Sequence, residues 1–597
     1  MVTTVVAARP ELATETCRRR LRALLGAAPL PPAVDWDISW HGPDEGTVEG
    51  PGSEVCIQAL AGLMAVHGRD EGRPRRLGLE VASVAAGLLA AQGVLASMVA
   101  QARGVPPLAV HTSVLQGAMV ILSHYLMVAT ALGDAVDGPP LEAPGPPFES
   151  RDGRWFEVET LNPECWKALW EDLGAGDADL GRAWTVFRWR YERAACSLPA
   201  GLHRAAARHT LAELEATCRR LGLSMVALRT HEEVLALPGL DADLPVLRAL
   251  DPGPLASGAA PPGAAPGSAG GRRPLGTGEG PLAGIRVVEA TSRIQGPFAG
   301  MLLRMLGADV VRIQPPEGDY GRSFLVLHRE KATITLDLAT AAGREELRAR
   351  VAGADVFLHN WRPGKAEEWG LDGDTLAAGH PGLVYAYASG WGPHPGVAPR
   401  LGTDFLVQAY TGLGQGLHPM GTPAGPARMV LCDLFGALVT AEGVLAGLHR
   451  RAEAGGSWAV ETSLLGGAMA LQAHVLAAEA GGREEGRCRG RPLWGPLDHP
   501  LATVEGTLAV DVADGGLARL GAVCEVDPEA PGAPRLVAER LARRPAAAWA
   551  PRLREAGVPA EVVASDLATV VADPRLASLL EPAGDGGCVP RSPWRFG

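Results

Sequence analysis

Along the second half of the chain, apolar residues follow two periods in turn. IRVVEA from Ile285 reads as a buried strand, and PFAGMLLRML from Pro297 has helical spacing. ADVVRI and TITLDL return to the strand pattern, 343–351 to the helical one, and ADVFLH and LVYAYA are two further strands. Strands alternating with helices predict an α/β layer architecture. WAVETS at 458–463 alternates as a strand and is expected in the core. The front of the first half differs. Residues 1–52 hold a basic amphipathic stretch at 17–25 and a Pro-rich loop, where 282–401 carries the whole alternation.

The halves are nevertheless copies. SEVCIQALAG from Ser53 matches TDFLVQAYTG from Thr403, and GVLA from Gly93 matches GVLA from Gly443. HTSVLQGAM from His111 matches ETSLLGGAM from Glu461. All three pairs share an offset of 350 without a gap, which identifies an internal duplication. More loosely, 148–174 parallels 502–524, an alternating strand signal followed by a helical one, so the duplication extends into a second, smaller domain. Between the copies, residues 251–280 are rich in Gly, Pro, Ala and Ser with no apolar period, as expected of a tether.

Composition narrows the function. The 597 residues carry 55 Lys+Arg against 67 Asp+Glu, a net charge of −12, which argues against nucleic acid or an acidic membrane as the main partner. The apolar runs fall short of the roughly 20 residues that span a bilayer, and the first residues lack the pattern of a secretory signal. A cytoplasmic enzyme acting on small molecules is expected. Nine thinly spread cysteines without a Cys-x-x-Cys pair, and histidines without ligand spacing, suggest neither disulfides nor a metal site.

Neither Gly-x-Gly-x-x-Gly nor a Walker loop comes after the first strand. The chain there reads TSRIQGPFAGMLLRMLGADVVRIQPPEGDYGR, then KATITLDL, HNWRPG, YASGWG, TDFLVQAYTG and CDLFGALVTAEGVLAGLHRR, closing with SPWRF. In this order, these segments resemble the class III CoA-transferases. That family includes formyl-CoA transferase, the carnitine and bile-acid CoA-transferases and α-methylacyl-CoA racemase. The resemblance covers residue 282 to the end, and the first half from about Ser53.

The resemblance implies an α/β fold with a Rossmann-like large domain and a smaller α+β domain, here internally duplicated as an asymmetric pseudodimer. It implies five parts: 1–140, a truncated large domain without a nucleophile; 141–250, the first small domain; 251–280, the linker; 281–490, the complete CoA-binding large domain; and 491–597, the second small domain with a return segment. The chain is then either a pseudodimeric monomer or a homodimer. Substrates are an acyl-CoA and a carboxylic acid, with CoA arriving as a thioester and no metal.

By the same resemblance Asp433 is the nucleophile of CoA transfer through an aspartyl-CoA intermediate. The alternatives are an acyl-CoA epimerase, isomerase or lyase that uses Asp433 as a base, or a non-catalytic thioester-binding scaffold. Asp433 opens a helical run, so an N-cap role would also account for it. Backbone N–H groups there are expected to keep its carboxylate ionised. At the offset of 350, Asp433 falls on Ser83, Asp404 on Glu54 and Thr403 on Ser53, so one active site per chain is expected. Asp404 reads equally as a substrate contact or a cap. Thr403 stands where the racemases carry His and formyl-CoA transferase carries Tyr, which disfavours two-base racemisation. For CoA the resemblance points to Gln295 and Gly296 in the first loop, Arg322, Lys331, and Asn360, Trp361 and Arg362 in HNWRPG, with Lys331 and Arg362 as the main phosphate partners. Glu368 and Pro315 replace arginines of the family pattern. Residues 481–496 take the place of a mobile Gly-rich loop and read as solvated, or as arginines facing an anionic substrate.

Overall fold

The computed structural model describes residues 10–26, 34–42, 52–132, 142–176, 179–237, 243–250, 280–318, 322–393, 401–483, 486–512, 515–583 and 586–597. Apart from residue 280, the expected linker lies outside the described residues.

The second copy is built on a parallel sheet, and the fold is mixed α/β as expected. Its six parallel strands are Arg286–Ala290, Asp309–Gln314, Ala332–Thr335, Val356–His359, Val384–Ser389 and Ser457–Ser463. Numbered along the chain, they lie across the sheet in the order 3-2-1-4-5-6. This doubly wound order reverses between the first and fourth strands and opens a crevice beyond their C-terminal ends. Strand Val356–His359 is buried throughout, as a parallel strand covered on both faces should be.

The first copy keeps two strands, Trp36–Ser39 and Val110–Ser113, paired in parallel. At the same offset they fall on the last two strands of the larger sheet. The match extends to a turn: the Ser39 hydroxyl accepts from Gly42 N at 3.0 Å and the Ser389 hydroxyl from Gly392 N at 2.8 Å. The duplication therefore begins before Ser53, where residue identity first becomes visible.

Each copy finishes the other's sheet. Val246–Leu250, from the end of the first half, runs antiparallel to Ser457–Ser463. Arg595–Phe596, at the end of the second, runs antiparallel to Val110–Ser113. The small three-stranded sheets cross over in the same sense. Arg229 N, just beyond the strand Ser224–Ala227 of the first, bonds to Ala409 O in the second large domain at 3.0 Å. Ala564 N, just beyond Ala560–Val562 of the second, bonds to Ala59 O in the first at 3.1 Å.

At the centre lie two equivalent helices, Val81–Ala102 and Leu431–Ala454. Both are long and apolar enough to cross a bilayer, contrary to the expectation from run lengths. Here they are wrapped on all sides instead, which is what a helix apolar all round requires. Gln92 Nε2 donates to Leu438 O at 2.8 Å between them. The basic helix Glu11–Leu25 covers the first and sends Arg20 to Glu442 of the second, an ion pair with both side chains fully buried.

Candidate active site

The start of helix Leu431–Ala454 has no cap of its own, because Val430 precedes it. Other elements provide the acceptors for its free N–H groups. Asp404, first residue of helix Asp404–Tyr410, accepts from Asp433 N at 2.7 Å through Oδ2. Its Oδ1 accepts from Gln408 Nε2 at 2.6 Å, and Gln408 Nε2 also reaches Met429 O at 2.9 Å. The Tyr125 hydroxyl of the first copy accepts from Val430 N at 3.0 Å. Asp404 is fully buried. It bonds the start of helix Leu431–Ala454 rather than capping its own helix, whose N-cap is Thr403.

The first copy repeats the network with one decisive change. Gln58 Nε2 donates to Glu54 Oε1 at 3.1 Å and Leu79 O at 3.1 Å. Glu54 Oε2 accepts from Ser83 N at 2.9 Å and from the Ser83 hydroxyl at 2.6 Å. Where the second copy has the Asp433 carboxylate, the first has a hydroxyl tied to its own cap.

Asp433 is 9% exposed and stands at the crevice of the large sheet. The Gln295 backbone N–H, at the start of helix Gln295–Met305, donates to its carboxylate. The Gln295 side chain lies over Gly436, where a Cβ would come within 3.0 Å of Nε2, and that Nε2 has no partner among the described residues. Arg293, two residues earlier, takes the left-handed backbone conformation at φ 68° and is exposed. Asn360 fixes this corner: Nδ2 donates to Ser292 O at 2.8 Å and Oδ1 accepts from Ser292 N at 3.0 Å. These two loops leave the first and fourth strands, so the corner is the switch point itself.

Electrostatics here run against the expectation. Burial pushes the Asp433 carboxyl up to about 7, opposed by the Arg293 charge and the Gln295 N–H. Asp404 is raised well above the usual carboxylate range, by burial first and then by Asp433. The pair therefore does not hold two full charges at neutral pH. N-terminal N–H groups are present, but desolvation outweighs them.

The far wall comes from the first half. The Thr403 hydroxyl lies 3.5 Å from Glu159 Oε2, the outer limit of a hydrogen bond, and makes no cap bond to its own helix. Glu159 is held by Arg190 at 3.0 Å and by the Tyr191 hydroxyl. The Tyr191 ring packs on Phe405 with centroids 4.9 Å apart and faces the Arg293 guanidinium at 6.0 Å. The site is thus assembled from both halves.

The other expected residues are placed unevenly. Gly296 is buried, and a Cβ there would come within 2.5 Å of Thr291. Lys331 is corrected as a phosphate partner. Its ammonium is fully enclosed, 2.7 Å from Glu289 Oε2 and 2.7 Å from Pro297 O, and pins helix Gln295–Met305 to the first strand. Arg362 has a side chain 76% exposed, with Glu368 at 3.8 Å. Trp361 packs against His359 and Trp369. The Arg322 side chain lies outside the described residues. In the loop at 481–496, Arg487 donates to Gly78 O at 2.5 Å and Arg491 to Pro419 O at 2.5 Å. These two half-buried arginines are structural ties, while Arg483 and Arg489 of the same loop are exposed, in keeping with the solvated reading.

Sequence reasoning did not find Arg293, Gln408, Tyr125, Tyr191 or Glu159. Gln408 had a signal, since its copy Gln58 is also Gln. Tyr191 and Glu159 reach the site from the other half, and no spacing rule brings them there.

The profile of CoA-transferase family III matches residues 33–272 and again 282–579. The chain is 32% identical over 209 residues to the succinyl-CoA--D-citramalate CoA-transferase of Chloroflexus aurantiacus, covering 33% of this chain and 52% of that protein. It is 29% identical over 317 residues to the acetyl-CoA:oxalate CoA-transferase of Acetobacter aceti, covering 47% of this chain and 80% of that one. For several curated relatives the matched region is thus about half their length. Among solved structures, a CAIB/BAIF family protein from Brucella suis is similar at 26% identity and a TM-score of 0.48, covering 53% of this chain and 93% of the other.

Proposed function

The chain belongs to CoA-transferase family III, and on that premise we propose that it moves CoA from an acyl-CoA to a carboxylic acid through a thioester on Asp433. The observation that carries the reading is the contrast between the copies. A carboxylate stands at the crevice in the second, while the matching Ser83 hydroxyl of the first is tied to Glu54.

An Asp433 oxygen attacks the thioester carbonyl and CoA thiolate leaves, giving a mixed anhydride. The thiolate then attacks the aspartyl carbonyl, the donor acid departs as its carboxylate, and Asp433 carries CoA as a thioester. The acceptor acid runs the sequence backwards. No net proton is taken up, and one carboxylate enters for each that leaves. The 9% exposure of Asp433 limits water, which would hydrolyse both intermediates. The unpartnered Gln295 Nε2 is available to the oxyanion that forms on the attacked carbonyl. Arg362 and Trp361, in the loop that leaves the fourth strand, remain candidates for the CoA phosphates and adenine. The reaction belongs in the cytoplasm with the acyl-CoA pool.

The relatives named above act, by their names, on citramalate and oxalate, which supports a small acid as one substrate. A second reading, in which Asp433 is a base on the carbon next to the thioester, gains from a carboxyl raised to about 7. It requires a second proton carrier, and Thr403 is not one.

The test is isotope exchange. With an acyl-CoA and the labelled free acid of the same acyl group, label enters the thioester, and Asp433→Asn stops it. The base reading predicts deuterium at the α-carbon and no label exchange.

A further inference from the structure

The charge balance of the site carries one step more, resting on the aspartyl-CoA reading. Beside Asp433 stand one further carboxyl, Asp404, and one exposed guanidinium, Arg293. Asp404 is buried beneath as the helix cap, hydrogen-bonded to Asp433 N and Gln408. Arg293 lies on the open side, facing the Tyr191 ring at 6.0 Å. Among the described residues, no carboxylate lies within ion-pair distance of Arg293. Its backbone is held at φ 68°, a conformation a non-glycine residue adopts only when its surroundings impose it. Asn360 anchors the preceding residue through the Ser292 N–H and carbonyl.

This arrangement changes when the intermediate forms. In the resting enzyme the Asp433 carboxylate balances Arg293. Once Asp433 is a thioester it has no charge, and the exposed Arg293 guanidinium loses the carboxylate whose field it shares. We propose that Arg293 is the acceptor-anion site, which receives the incoming acid's carboxylate once the aspartyl-CoA thioester has formed, with Tyr191 of the first half as its wall. Charge then selects the substrate: an anion is drawn in only after the donor acid has left with its own. When the acceptor oxygen attacks and CoA thiolate is transferred to the new acyl group, the Asp433 carboxylate is regenerated and again balances Arg293. The charge that enters on the acceptor is the charge that returns to Asp433. Removal of the first half would remove Tyr191, which gives that half a part in substrate binding.

The experiment uses the full chain loaded with CoA on Asp433 at alkaline pH, where the carboxylate forms with or without the arginine. Discharge of the loaded enzyme is monitored with two nucleophiles, an acceptor carboxylate and neutral hydroxylamine. In Arg293→Gln, the concentration of carboxylate needed for half-maximal discharge rises at least about tenfold, while discharge by hydroxylamine stays within about twofold of wild type. Arg293→Lys, which keeps the charge, recovers most of the carboxylate rate. Equal loss with both nucleophiles would overturn the proposal, since the arginine would then only support the fold. Carboxylate discharge unchanged in Arg293→Gln would also overturn it and leave the aspartyl-CoA reading standing. If the wild-type chain never loads CoA, both readings fall together.

Discussion

Asp433 and Ser83 hold the same position on two copies of one helix, and their partners differ by a single exchange: Glu54 bonds the Ser83 hydroxyl, whereas Asp404 bonds only the backbone of Asp433. The shorter cap does not reach the Asp433 oxygens, whose donor is the Gln295 N–H instead. Burial raises the Asp433 carboxyl from the usual 3.8 to about 7, so the nucleophilic form accumulates as pH rises through that value. CoA loading should increase over about pH 6 to 8 and be flat above, as single-turnover rates will report. For stability, a carboxyl raised in the folded state favours folding most below its unfolded value, and that contribution disappears as pH rises from 3.8 to about 7. Asp433→Asn is therefore expected to melt higher than wild type at pH 8 and alike at pH 4, measured calorimetrically. Asp404→Ala removes a cap and should cost about 1 to 2 kcal/mol in denaturant unfolding. Asp433 stood out as a candidate only through the likeness of the CDLFGA string to the family. Its charge state was not legible, because depth of burial is a property of three packed elements that no local pattern records. Lys331 misled for the same reason: a lysine at a matching position reads as a phosphate ligand until Glu289 is seen 2.7 Å away.

Among elements, the helix Leu431–Ala454 is packed through glycines, and their tolerance differs by what they meet. A Cβ on Gly467 would run into the backbone of Phe435 and Gly436, which cannot move without shifting the whole helix. A Cβ on Gly436 would meet only the amide end of Gln295. Gly467→Ala is expected to destabilise by more than about 2 kcal/mol. Gly436→Ala should keep the fold and slow CoA loading by displacing Gln295; melting curves and loading rates together separate the two. The parallel strands were visible as runs of apolar residues between turns, whereas the full length of the two central helices was not. Nor was the spatial order of the strands, since period says nothing of neighbours. The edge strands Val246–Leu250 and Arg595–Phe596 escaped as well, being short segments whose partners lie in the opposite half.

At the scale of the molecule, the duplicated halves are interlocked by exchanged strands and by crossed small domains, so that the second large domain meets Glu159 and Tyr191 of the first half. A protease site placed within 251–280 and then cut should leave two fragments that co-elute on size exclusion and retain CoA loading; fragments that separate in native buffer would contradict the interlocking. The offset of 350 made the duplication plain from sequence, and the loss of the nucleophile in the first copy with it. That the silent copy nonetheless lends a wall to the active site depended on which small domain faces which large one, a choice that repeated sequence leaves open. The central claim, a covalent CoA thioester on Asp433, is tested most directly by intact-mass analysis of the full chain after incubation with a panel of acyl-CoAs, with subsequent hydroxylamine trapping and peptide mapping. The account predicts a mass increase equal to bound CoA, converted by hydroxylamine to a hydroxamate at Asp433 and absent in Asp433→Asn. Turnover with no adduct on the chain, or a hydroxamate mapped to any other residue, would contradict it.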